Sequence, residues 1–255
     1  MFHLRKWYLD CTAPDGEVMI LYHATLRWNL VRMKWGGLLH KKEPSARPLQ
    51  QSTLRPGPEP ERHSGRILAA NESLDVVGEW TLETPPHDRV LLERDDGHVR
   101  WCCCAPGASC RVRIAGRCIE GRGYGELLEM NMPPWKLPIR ELRWGRWLDD
   151  HSSIVWIDWR GERPLSLLLS NGVEVPGAVE DDRVSVDGGP TLRLDRSGFL
   201  RDGELGATVL RGLPVLGGRI PPAIARTRET KWLSRGVCSN GAVGWAVHER
   251  VCFGS

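Results

Sequence analysis

Tyrosine and phenylalanine are scarce in this chain of 255 residues, with three of each, and long apolar runs are missing altogether. No stretch reaches the roughly 18 uncharged apolar residues that a membrane-spanning helix needs. The opening residues, MFHLRKWYLDC, hold neither a long apolar run nor a small-residue cleavage site, which argues against export and for a cytoplasmic protein. No basic block interrupts the mixture of 35 basic and 32 acidic residues, so neither nucleic acid nor an anionic membrane is an expected partner. Templates for nucleotide and metal chemistry are also missing. GxGxxG after a strand, GxxxxGK before Ser or Thr, HExxH and GxSxG all fail to occur, which leaves no warrant for a bound cofactor.

Cysteine is present, eight times, but without the spacing that holds zinc: there is no CxxC pair, and Cys102, Cys103 and Cys104 are contiguous. On a strand, neighbours point to opposite faces, so only Cys102 and Cys104 of this run can share one. Buried, reduced thiols fit these residues better than metal ligands or disulfides.

What the chain does have is short apolar runs broken by turn residues. Examples are Glu17–Trp28, Ile67–Leu82, Val99–Cys104, Ser109–Ala115, Ile119–Met130, Ser153–Trp159 and Ala242–Phe253. Asp-Gly and Asn-Gly pairs recur at 15–16, 96–97, 171–172, 187–188, 202–203 and 240–241, and they supply the positive φ angles of tight hairpins. This predicts an all-β protein of barrel or sandwich type. Twenty-eight glycines and 18 prolines leave two windows long enough for a helix, Pro138–Asp149 and Pro222–Leu233. The proline-rich stretch Lys41–Gly65 has almost no large apolar side chain to anchor it and is expected to be a mobile surface loop. The MPPWKLP run at 132–138 marks a boundary between a first domain, residues 1–134, and a second, 138–255. Leu4-Arg5, Trp7 and Leu9-Asp10 are weakly echoed by Leu142-Arg143, Trp147 and Leu148-Asp149, as two copies of one barrel would be.

Strand parity selects the charged residues that share a face with apolar ones. Glu126 alternates with Tyr124, Leu128 and Met130; Asp158 with Ile154 and Trp156; Glu249 with Val243, Trp245, Val247 and Val251. A buried carboxylate must be paired, hydrogen-bonded or protonated. The third state supplies an acid catalyst, while the first makes the residue part of a structural ion pair, with Arg146, Arg160 and Arg235 as available partners. His23 falls on the face opposite Val18, Ile20 and Tyr22 and is expected at the surface. Twelve tryptophans, five of them between Trp135 and Trp159, either fill barrel cores or form walls for a flat apolar ligand.

Three segments resemble a known family: Gly123-Tyr124-Gly125-Glu126, Leu142-Arg143-Trp144-Gly145-Arg146 and Gly244-Trp245-Ala246-Val247-His248-Glu249. They are similar to motifs of the carotenoid 1,2-hydratase and tocopherol cyclase superfamily. The resemblance implies two tandem lipocalin-like antiparallel β-barrels and cofactor-free chemistry on an apolar polyene or prenyl-type small molecule. An acid, Glu126 or Asp158, would protonate a C=C bond with Tyr124 and Arg146 tuning it. Trp144, Trp156 and Trp245 would wall the ligand, with Glu249 beside them. This chain disperses the Asn-Trp-Gly run of the hydratases into Asn131, Trp135 and Trp144-Gly145, so hydration, cyclisation and isomerisation all stay open. The alternative is a lipocalin-like carrier or sensor that binds a lipophilic molecule and does no chemistry.

Overall fold

The computed structural model describes residues 1–212 and 220–253. The chain divides into two compact units, the first made of Met1–Pro133 with Asn171–Val173 and the second running from Pro134 onward apart from those three residues. In the first, ten strands form one antiparallel sheet: β1 (Phe2–Thr12), β2 (Val18–Trp28), β3 (Val31–Lys41), β4 (Leu49–Thr53), β5 (Glu61–His63), β6 (Arg66–Asn71), β7 (Val76–Leu82), β8 (His87–Arg94), β9 (Gly97–Ile114) and β10 (Arg117–Met130). Their order is β4-β3-β2-β1-β10-β9-β7-β6-β5, with β8 also on β9.

The second sheet holds β11 (Ile139–Leu148), β12 (Ser153–Gly161), β13 (Leu165–Ser170), β14 (Val173–Val175), β15 (Gly177–Val179), β16 (Arg183–Val186), β17 (Thr191–Leu194), β18 (Gly198–Glu204), β19 (Arg228–Cys238) and β20 (Val243–Cys252). Its order, β14-β13-β12-β11-β20-β19-β17-β16-β15 with β18 on β19, repeats the first with every strand displaced by ten. Trp7 and Trp147, the residues of the weak sequence echo, each lie in the core of their own unit. No helix among the described residues is long and apolar enough to cross a membrane.

Turn chemistry sets the hairpins. Asn171 and Gly172 both have positive φ, 49° and 79°, the pair of angles a two-residue hairpin requires. Four expectations need correction. Both helix windows are mainly strand: β11 fills the first, and the second gives one helical turn, Pro222–Ala225, before β19 begins. Packing of alternating Leu142, Trp144 and Leu148 outweighs local helix preference there. Asp202-Gly203 sits inside β18, not in a turn. The runs Val99–Cys104 and Ser109–Ala115 belong to one strand, β9, which passes through Pro106. There the pairing with β10 shifts register between Gly123/Ala108 and Gly125/Ala105, and a bulge is where proline's missing N–H costs no ladder bond. Finally, Lys41–Gly65 is not structureless: β4 bonds to the edge of β3, and β5 makes a hairpin with β6. Main-chain pairing to an existing edge needs few large apolar side chains.

Candidate functional site

The core of the first unit takes Trp7, Leu9 and Cys11 from β1, so Tyr8 and Asp10 point to the opposite face. In the antiparallel pairing of β1 with β10, Tyr8 stands opposite Glu126 and Asp10 opposite Tyr124, and residues directly opposite share a face. All four are buried: Asp10 and Tyr124 are 0% exposed and Glu126 7%. Each tyrosine donates to the carboxylate two residues along its own strand. Tyr8 Oη lies 2.9 Å from Asp10 Oδ2, and Tyr124 Oη lies 2.7 Å from Glu126 Oε2. Trp101 Nε1, from β9, donates to the same Glu126 oxygen at 2.6 Å. Two Tyr-x-acid segments thus meet head to tail as a quartet. Burial, the largest influence, pushes the Tyr124 hydroxyl well above its ordinary pKa, which keeps it a proton-bearing donor.

An aromatic row extends from this quartet across the sheet. Tyr124 packs edge-on to Tyr8 at 5.9 Å between ring centroids, Tyr8 to Tyr22 at 5.4 Å, and Tyr22 meets Trp35 at 5.8 Å. All three tyrosines of the chain therefore lie in one row, each buried. Gly37 makes room for it, since a Cβ there would come within 2.7 Å of the Trp35 ring. Trp35 Nε1 is buried without an acceptor. Each ring of the row is buried, and the Tyr8 and Tyr124 hydroxyls are engaged by Asp10 and Glu126.

Tyr124 and Glu126 are brought together, as parity predicts; the remaining candidates belong to the second unit and do not form one surface. Gly145 of β11 pairs with Trp156 of β12, and Trp144 pairs with Glu249 of β20. Trp144, Arg146, Trp245 and Glu249 therefore share one face while Trp156 and Asp158 share the other, so the three expected wall tryptophans are split by parity. Asp158 Oδ2 accepts from Arg160 Nε at 2.9 Å. Glu249 forms an ion pair with the buried Lys231, whose ammonium also lies 5.2 Å from the Trp144 ring centroid. Fully buried Arg146 donates to the Trp245 carbonyl at 2.7 Å. Trp245 is half-buried, with the Arg235 guanidinium 5.9 Å from its ring centroid. On the Trp156 face, Trp232 and His248 stack at 5.0 Å and border a cleft of about 10 Å³ with Trp156, room for about one water.

Sequence reasoning missed Asp10, Tyr8 and Trp101. The available signal was the repeated Tyr-x-acid spacing at 8–10 and 124–126, which shows only once both strands are seen to pair. His23 is buried, not exposed, because both faces of β2 are covered. Among the described residues no three His, Cys, Asp or Glu side chains converge as metal ligands would.

The fold is that of the two-barrel lipocalin-like proteins. A Nitrosomonas europaea protein provisionally called AttH superposes with a TM-score of 0.58 at 10% identity, covering 99% of this chain and 92% of that one. Kievitone hydratase from Nectria haematococca gives 0.56 at 9% identity, over 98% of this chain and 88% of the hydratase. CghA gives 0.58 at 8% identity over 99% and 88%. No family model matches the sequence, and no curated protein matches it either.

Proposed function

We propose that this chain is a cofactor-free acid catalyst of the hydratase, cyclase or isomerase kind, acting on an apolar polyene or prenyl-type small molecule. The observation that carries the reading is the buried Glu126, hydrogen-bonded by Tyr124 and Trp101 beside a row of aromatic rings. Similarity of fold to a kievitone hydratase supports the reaction class. In this reading the acid form of Glu126 gives its proton to one alkene carbon, whose π pair makes the new C–H bond. The cation left on the adjacent carbon is held by ring faces. Water or an internal nucleophile then bonds to it, and the released proton returns to Glu126. Tyr124 and Trp101 fix the carboxyl orientation throughout. Asp158 is not given the acid role, because Arg160 Nε already donates to its Oδ2. Eight free thiols suit a reducing, cytoplasmic setting.

The test is Glu126→Gln, which keeps shape and removes the transferable proton. With substrate recovered from the purified protein, turnover in D2O should place one deuterium on carbon. E126Q should lower turnover by about 100-fold or more while still retaining the ligand. Undiminished turnover in E126Q removes Glu126 from the mechanism. A wild-type protein that holds its ligand unchanged, with no deuterium uptake, is a carrier instead.

A further inference from the structure

A pair of thiols lies on the core face of the first unit, away from the face that carries Glu126. The three contiguous cysteines of β9 divide by parity: Cys103 pairs with Glu126, while Cys102 and Cys104 belong to the core. Cys103 pairs with Glu126 and Ala105 with Gly125, so Cys104 has no opposite residue and sits in a bulge, where a strand bends. The two core thiols meet at an Sγ–Sγ distance of 3.2 Å, with Cys104 donating to Cys102. Arg62 of β5 reaches both, its Nη1 lying 3.6 Å from Cys102 Sγ and 3.8 Å from Cys104 Sγ.

We propose that Cys102 and Cys104 form a two-thiol modification site that a hydroperoxide oxidises to a reversible disulfide. Attack needs a thiolate, and the surroundings provide one: the Cys104 hydrogen bond, opposed by burial and aided by Arg62, brings the Cys102 thiol down to about 7. The same contact raises Cys104, which keeps its proton. In the first step the Cys102 thiolate takes the terminal oxygen of the peroxide, the O–O bond breaks, and hydroxide or alkoxide leaves. Sulfur is oxidised and oxygen reduced by two electrons. The Cys104 sulfur then attacks the Cys102 sulfenic acid, its proton departs with the hydroxyl as water, and an S–S bond forms. With hydrogen peroxide the sum is two thiols and one peroxide giving one disulfide and two waters. Closure shortens the sulfur separation from 3.2 Å to about 2.05 Å. A bridge between residues two apart on an extended strand is strained, and strained disulfides are the readily reduced ones.

The experiment treats the full-length reduced protein with limiting hydrogen peroxide, blocks remaining thiols with an alkylating reagent, and maps the peptides by mass. The expected result is a Cys102–Cys104 link that forms before the exposed Cys118 reacts and is reversed by dithiothreitol. Unfolding in urea should slow it at least about tenfold, since the fold places the guanidinium and the second thiol. Cys104→Ser should leave a sulfenic acid on Cys102 that dimedone traps, and Arg62→Ala should move the pH midpoint of Cys102 alkylation upward. Two freely alkylatable thiols after treatment, an equal rate in urea, or prior reaction at Cys118 would each overturn the site. None of these outcomes bears on Glu126, whose role is read from turnover.

Discussion

The two units share a strand order, but the carboxylates singled out in each have different neighbours, although Glu17 of the first unit also has basic partners, His40 at 2.7 Å and Arg117 at 3.5 Å. In the first, Glu126 and Asp10 receive hydroxyl and indole hydrogens from Tyr124, Trp101 and Tyr8. In the second, cations do this work: Glu249 meets Lys231, Glu229 meets Arg201 at 3.2 Å, and Asp158 meets Arg160. Cations hold the one set and neutral N–H and O–H donors the other, and both fix the orientation of the carboxylate.

The largest effect that would break this comparison is expected in the second unit. Lys231 is 2% exposed and lies between Glu229 and Glu249, so Lys231→Met should destabilise by about 3 kcal/mol by taking the buried ammonium from Glu249, while Glu229 keeps Arg201. Adding Glu249→Leu should restore part of it. Urea denaturation checks both, and a single variant within about 1 kcal/mol of wild type would remove the ionic half of the contrast. Next comes E126Q, whose loss of about 100-fold in turnover should arrive without comparable loss of stability. Tyr124→Phe is milder, removing one donor to Glu126 Oε2, and should cost about 1–2 kcal/mol in unfolding free energy. Tyr8→Phe, acting on Asp10, is its matched control within the quartet.

A pH series sharpens the difference further. Burial first, then the charges of Arg196 and Lys231, lower His248 from 6.5 to about 3. Because the unfolded chain takes up this proton and the folded one does not, stability is unaffected above the unfolded pKa. It should fall as pH drops from 6.5 toward 3, by up to about 1.4 kcal/mol per pH unit. His248→Gln should flatten that limb; an unchanged slope would mean that other groups set it. Smallest is Arg183→Ala, which breaks an exposed pair with Glu180 and should leave the urea midpoint unchanged.

Much of the fold was legible because its signals are local. Turn pairs with positive φ and period-two alternation mark strands without reference to their neighbours, and parity placed Tyr124 with Glu126 and Trp156 with Asp158. What stayed hidden depends on pairing across long separations. Nothing near Asp10 announces that Tyr124 stands opposite it, and nothing near Glu249 announces Lys231 on the adjoining strand. Parity also says which residues share a face, never which face is inward, and the resemblance that makes Trp144, Trp156 and Trp245 one wall carries no register between their strands. His23 failed for a related reason, since alternation reads as solvent exposure only where one face of a sheet is wet.

The pairing of β1 with β10 has a consequence for synthesis. Leu4 bonds opposite Met130, so the partner of the first strand leaves the ribosome more than a hundred residues after it. At about 5–20 residues per second, β1 waits several seconds or longer with one row of peptide groups unclaimed. Tyr8 and Asp10 ride on that waiting strand, and half of the quartet exists before the other half has been translated. Codon choice or chaperone supply over that interval would govern the yield of assembled sites without altering a residue in them.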